Sequence, residues 1–382
     1  MLKRGIKLFK IFGIEVGLNW SWFLIFILVI ISLSTEYFPT LYPQFNTITN
    51  IILGVITAIF FFTSILIHEL SHSVVANMTG VSIKRIDLFI FGGVAQMSSP
   101  PKTAVQEFLM AIAGPFASFI LSFFFGIFWL GFKVTNFSIL PIIAFFGYLS
   151  LINMILGLFN LLPGFPLDGG RILRSILWYF TDDILSSTRI ASILGQILGY
   201  GMVTFGSISI FLSVFIYQLR NFSGLWPIVL GWFLQNLAKG SYQQEVIRSS
   251  LATVLVKDVM RKQFQTLDPD TTLDNLIRNW FMVYDYRIFP VLENEKIIGT
   301  ISTEDVKIIP KDRRLTTKVM EALKPIKESQ IINSESNVID TLYKMNEIQS
   351  NYLLVVAQDK LVGIIHRNDI SRYVKLKRDF KI

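Results

Sequence analysis

The chain of 382 residues can hold two or three domains, and its 52% hydrophobic content with a mean hydropathy of +0.54 points to a membrane protein. Its formal net charge of +8 is spread too thinly to form a basic stripe, which argues against nucleic acid as a partner. With no cysteine, disulfides, thiolate metal sites and cysteine nucleophiles are excluded, so any metal must be held by His, Asp or Glu.

Charge divides the sequence in two. Residues 1–250 carry 14 Lys and Arg with 9 Asp and Glu, against 21 and 18 in residues 251–382, so the first part is expected in lipid and the second in water. Uncharged runs able to cross a hydrocarbon core of roughly 30 Å are predicted at 16–35, 51–67, 108–132, 145–159, 190–219 and 221–238. The first is preceded by Lys3, Arg4, Lys7 and Lys10 but lacks a small-residue cleavage site, so it reads as a spanning helix and not a signal peptide. Pro227, Gly231 and Gln235 let the last run fit equally a helix buried against the bundle. Six spans place both ends on one side. Lys84, Arg85, Lys102, Arg171, Arg174 and Arg189 would join the basic N-terminus there, whereas the opposite loops carry Glu36, Lys133 and Arg220. By the excess of positive charge, that side is the cytoplasm, and the N-terminus and the polar tail are expected to face it.

Between the second and third runs, residues 81–97 change period. Ile86, Leu88 and Ile90 alternate with Asp87, Phe89 and Phe91 before Gly92-Gly93, which predicts a small β-hairpin with its turn at the glycines. Open strand edges do not survive against lipid, so the hairpin is expected at the interface or in a protein-walled cavity.

The strongest local pattern is His68-Glu69-Leu70-Ser71-His72. Two histidines four apart share one helix face and can converge on one zinc ion, and the intervening Glu is placed to take a proton from water activated by the metal. The motif lies roughly 25 Å along the helix from Ile51, inside the bilayer. Two imidazoles and a carboxylate at that depth are costly unless paired or bound to an ion, which weighs against two merely satisfied histidines. A catalytic zinc needs a third protein ligand. Outside the motif, one carboxylate enters the apolar spans from an irregular stretch: Asp168, in NLLPGFPLDGGR at 160–171, where prolines and glycines unwind the helix. The alternative is that Asp168 caps the helix starting near Arg171 or pairs with Arg171.

HELSH in one span and NLLPGFPLDGGR at the end of a later one, with Gly114-Pro115 in the third span, resemble the site-2 protease family of intramembrane zinc metalloproteases over residues 1 to about 245. The resemblance implies that His68, His72 and Asp168 hold one zinc ion per chain and that Glu69 is the catalytic base. It also places Asn160 near the active site, to hold the substrate backbone or oxyanion or else to fasten the turn.

The tail contains a diverged repeat: KDVM at 257–260 against KVM at 318–320, then GTISTEDV at 299–306 against GIIHRNDI at 363–370. Strands are predicted at 289–292, 297–301, 352–356 and 361–365, with helices at 273–283 and 338–348. The repeats, at 251–310 and 315–382, resemble a tandem pair of CBS domains. That family often binds adenine nucleotides, with a hydroxyl near phosphate and an Asp on the ribose. Ser302 and Asp305 fit the first copy. Asp369 fits the second, where His366 replaces the hydroxyl.

The fold expected is therefore a polytopic α-helical membrane protein of about six transmembrane helices with a small β-hairpin, plus a soluble α/β tandem CBS pair. The function expected is an intramembrane zinc endopeptidase that cleaves transmembrane segments of membrane-anchored, regulatory proteins, modulated by the CBS pair, with membrane lipid around it and a homodimer possible through the CBS domains. Two alternatives stand beside it: a transporter or channel with Glu69 and Asp168 on an ion path, and a catalytically dead family member that only binds membrane proteins.

Overall fold

A computed structural model describes residues 5–90, 92–97, 99–134, 140–216, 224–284, 287–293, 296–348, 350–358 and 360–380. Contacts divide the chain into two units, Met1–Val246 and Ile247–Ile382.

The first unit opens with a hairpin. β1 (Ile6–Ile11) turns through Phe12 and Gly13, both at positive φ, into β2 (Ile14–Leu18), the two-residue geometry that matches strand twist. β2 pairs in parallel with β3 (Ile83–Phe89), which pairs antiparallel with β4 (Gly92–Met97) in a sheet ordered β1-β2-β3-β4. The predicted hairpin is thus half of a four-stranded sheet. Its turn is not at the glycines: Gly92 pairs with Phe89 and Gly93 with Leu88, both inside β4. Ile14 and Leu18 of β2 and Ile83, Ile86 and Leu88 of β3 pack on Leu70, Ala76 and Met110, which seats the sheet against the helix carrying HELSH.

α1 (Trp20–Leu41) starts four residues later than expected, because Val16 and Leu18 belong to β2 and Asn19 caps the helix, its Oδ1 accepting from Ser21 N at 3.0 Å. α2 (Thr47–Met78) begins at the Asn46 cap, whose side chain accepts from Thr49 N. It ends in a Schellman turn, with Val81 N donating to Ala76 O and Gly80 at φ +91°. α3 (Ala104–Val134), α4 (Leu140–Asn160), α5 (Asp168–Thr181), α6 (Ile184–Val214) and α7 (Leu225–Leu251) follow.

Among the described residues, five helices, α1, α2, α3, α4 and α6, are long and apolar enough to cross a membrane, against about six expected. The sixth expected span starts at 221–223, outside the described residues, as do Phe91 and Arg220; its remainder lies in α7. That helix packs on α6 through glycines: a Cβ on Gly199 would stand 2.7 Å from Gly231 O, and one on Gly206 2.4 Å from Gly224 O. Close backbone approach of this kind is how helices associate where lipid offers no hydrophobic drive. Large apolar residues such as Leu24, Ile27, Phe123 and Phe205 point outward, as a lipid solvent allows.

The second unit holds two three-stranded sheets. β5 (Ile288–Glu293), β6 (Lys296–Ser302) and β7 (Lys324–Pro325) form one; β8 (Ile331–Asn333), β9 (Tyr352–Ala357) and β10 (Lys360–His366) form the other, in the order β10-β9-β8. Each sheet has its own core. Leu251, Val254 and Val256 pack in the core of the second sheet with Val338, Leu353 and Ile365, whereas Val319 packs in that of the first with Leu273, Phe289 and Ile301. The segment that opens each repeat in sequence therefore completes the other repeat in space.

Candidate metal centre

His68 and His72 lie one turn apart near the end of α2 and are 4% and 7% exposed. Their Nε2 atoms are 3.2 Å apart, and Asp168 Oδ2 stands 3.1 Å from each. The other ring nitrogens are held by α3. His72 Nδ1 lies 2.6 Å from Met110 O, which can only accept, so Nδ1 carries the hydrogen and Nε2 keeps its lone pair. His68 Nδ1 lies 2.9 Å from Ser118 Oγ. Partners of this kind fix ring orientation in metal sites.

Between those contacts sits Gly114. A Cβ there would stand 2.1 Å from His72 Nε2 and 2.6 Å from His68 Nε2, so only glycine leaves space beside the two donors. Met110, Gly114 and Ser118 recur every four residues, one face of α3 turned to the imidazoles.

Asp168 reaches the site from an unwound turn. After α4 ends at Asn160, residues 161–167 cross α6, with Phe165 N donating to Ala191 O at 3.0 Å. The crossing is tight: a Cβ on Gly195 would lie 1.9 Å from Phe165 O, one on Gly169 2.2 Å from Leu161 O, and one on Gly170 2.3 Å from Gly164 C. α5 then begins at Asp168 itself, with Leu167 at the cap position, and the Asp168 carboxylate is turned to the imidazoles. This displaces the capping alternative, and Arg171 lies 3.8 Å from Glu107 instead.

Two nitrogens and one oxygen 3.1 to 3.2 Å apart match a zinc donor set. Ligands set tetrahedrally at about 2.0–2.1 Å from zinc stand about 3.3 Å from one another. The chemistry also fits, since two neutral imidazoles and a carboxylate are borderline-hard donors and leave one position open.

Glu69 is half-buried beside the sheet. Its Oε1 accepts from Gly93 N at 3.2 Å, and a Cβ on Gly93 would lie 2.6 Å from Glu69 Cγ, so glycine is what lets β4 pass over the carboxylate. Asn160 is half-buried at the last position of α4, and its amide has no hydrogen-bond partner among the described residues. Sequence reasoning missed Met110, Ser118 and the ion pair of Glu107 with Arg174. A small-residue period of four in α3 was the available signal for the second of these.

In the second unit, Ser302 N donates to Asp305 Oδ2 at 2.9 Å, and His366 N to Asp369 Oδ2 at 3.2 Å. Each Asp thus closes the start of the helix after its sheet. Asp305 also pairs with Lys324, and Asp369 with Arg261 Nη2 at 2.7 Å. Both carboxylates expected on ribose are engaged within the chain.

Comparison with known proteins bears on both units. The profile of Peptidase family M50 matches residues 56–203, and that of the CBS domain matches 256–309 and 319–376. A zinc metalloprotease from Methanocaldococcus jannaschii is 32% identical over 100% of both chains. A candidate zinc metalloprotease from Synechocystis is 30% identical over 97% of this chain and 96% of its own. Among solved structures, the site-2 protease from Methanocaldococcus jannaschii matches 62% of this chain and 94% of its own at 34% identity, with a TM-score of 0.41. The chain belongs to peptidase family M50, the site-2 proteases, and carries a tandem pair of CBS domains after its membrane helices.

Proposed function

We propose that the chain is an intramembrane zinc endopeptidase in which His68, His72 and Asp168 hold the metal and Glu69 moves the proton. The observation that carries the reading is the triangle of donor atoms 3.1, 3.1 and 3.2 Å apart, built by two histidines four positions apart and an aspartate 96 and 100 positions further on, within a bundle of apolar helices. An ion path needs donors strung along it, whereas these converge on one point.

When bound, zinc lowers the pKa of a water to near neutrality and polarises a carbonyl. Glu69 accepts the proton as the water oxygen attacks the peptide carbon, and hands it to the departing nitrogen as the C–N bond breaks, leaving an acid and an amine. The Gly93 N–H steadies Glu69 Oε1 between the two transfers. The unpartnered Asn160 amide can donate to the substrate carbonyl or an adjacent backbone group.

A substrate helix must unwind before its carbonyl is reachable. β4 is the edge of the sheet, and an extended segment added there would regain the backbone hydrogen bonds it lost. The substrates are membrane-anchored, regulatory proteins with a transmembrane segment. The N-terminus and the CBS pair face the cytoplasm, where adenine nucleotide at the CBS pair modulates cleavage and the CBS pair joins two copies.

The test is cleavage of a single-span protein in liposomes by wild type, Glu69→Gln and Asp168→Asn, with zinc content measured on the same samples. Glu69→Gln should keep zinc and lose turnover by about a hundredfold or more, while Asp168→Asn loses both. Purified wild type without zinc, or turnover unaffected by a chelator, would sink the reading.

A further inference from the structure

We propose that Arg174 is a positioning residue: its ion pair with the buried Glu107 clamps the helix that begins at Asp168 onto the helix that holds the two imidazoles, and so fixes the third donor at the metal centre. The inference rests on the metalloprotease reading above.

Two of the three donors come from α2, and α3 holds both of their rings, through Met110 O and Ser118 Oγ. The third donor arrives separately on α5, whose approach to α3 therefore sets the size of the triangle. Glu107, three residues before Met110 on α3, is fully buried. Arg174, six residues after Asp168 on α5, meets it with two nitrogens: Nε lies 2.9 Å from Oε1 and 3.1 Å from Oε2, and Nη2 also donates to Oε1. A bidentate pair fixes direction as well as distance, which a single contact or a lysine would not.

The other sides of the guanidinium touch what surrounds Asp168. It lies over the ring of Phe165, in the unwound turn, at 4.9 Å. Nη1 is 3.4 Å from Thr188 Oγ1 on α6 and 3.7 Å from Glu245 Oε2 on α7. One side chain therefore ties α3, the turn, α6 and α7 to the start of α5. A buried ion pair adds little net stability over a well-packed apolar pair, so its use here is to specify arrangement. The arrangement it specifies is the one that brings Asp168 Oδ2 within 3.1 Å of both imidazoles.

The experiment uses the full chain in detergent, with zinc affinity measured by competition with a chelator and the donor set read from the visible spectrum of the cobalt-substituted protein. Arg174→Met and Glu107→Gln should each lower zinc affinity by about tenfold or more, on the scale seen for residues that orient ligands. Their cobalt spectra should move toward that of Asp168→Asn, and Arg174→Lys should recover only part of the loss. The double variant Glu107→Gln/Arg174→Met removes both charges of the pair together, leaving Arg171 and Glu245 at its rim, and keeps the fold testable where a single variant fails. A folded double variant with wild-type zinc affinity and an unchanged cobalt spectrum overturns the clamp. Wild type that binds no zinc overturns instead the reading on which the clamp rests.

Discussion

At Gly114 a single missing methyl group leaves the space beside two imidazole nitrogens. The three nearest heavy atoms to a Cβ at that position are His72 Nε2 at 2.1 Å, His72 Cε1 at 2.5 Å and His68 Nε2 at 2.6 Å, and both rings are held at their far nitrogens by the same helix face. They cannot retreat without giving up those contacts. Gly114→Ala should therefore lower zinc affinity by about tenfold or more while the helices stay folded; equal zinc content and an unchanged melting profile would show that the rings can yield. The two histidines were legible in the sequence because one helical period sets them on a shared face, and Glu69 because it stands between them in the motif. The prolines and glycines around Asp168 announced an unwound carboxylate but could not reveal its partners, which lie 96 to 100 positions away. Met110 contributes only a backbone carbonyl, which no side-chain pattern can signal.

At the scale of elements, the apolar spans were readable because lipid demands long uncharged helices, and the alternation that begins at Ile86 betrayed a strand, β3. β1 and β2 were not readable: Val16 and Leu18 run straight into the apolar sequence of α1, and β2 finds its partner β3 only after α2 has intervened. This changes how substrate addition should be tested. Proline at Leu88 would strike β3, which is paired on both sides, and would break the sheet itself. In an antiparallel pair the N–H groups alternate inward and outward, and the Gly93 N–H points away from β3, to Glu69. The Ala95 N–H should then also face the open edge. Ala95→Pro removes that donor without taking a bond from the β3–β4 ladder, so cleavage of a transmembrane substrate should slow by about tenfold with zinc content unchanged. Undiminished turnover would remove β4 as the receiving edge.

For the molecule as a whole, the CBS pair carries a dependence on acidity of its own. His366 stands where the first repeat has Ser302, at the end of β10 between Tyr352 and the Asp369–Arg261 pair. Burial pushes its imidazole below the ordinary value of 6.5; Asp369 opposes that and Arg261 adds to it. The unfolded chain therefore binds a proton that the folded unit resists, and stability falls as pH drops from 6.5 through the folded value. Asp305 behaves differently: burial raises it, but Lys324 and Ser302 together hold it below the ordinary 3.8, so its contribution is present above 3.8 and is lost only as pH falls through the lower, folded value. The two groups predict two acid steps, of which the milder belongs to His366. Hydrogen exchange at β9, in the core of that repeat, should read it in the full chain: after correction for intrinsic rates, protection falls between about pH 7.5 and about pH 5.5 in wild type and stays level in His366→Gln. Equal loss in both proteins would assign the step elsewhere. Because Asp369 engages Arg261 beside the same imidazole, a bound nucleotide that drew Arg261 to its phosphates would relieve one cause of the lowered value and shift this step, so the exchange measurement repeated with ATP, ADP or AMP also tests whether the second repeat takes such a ligand.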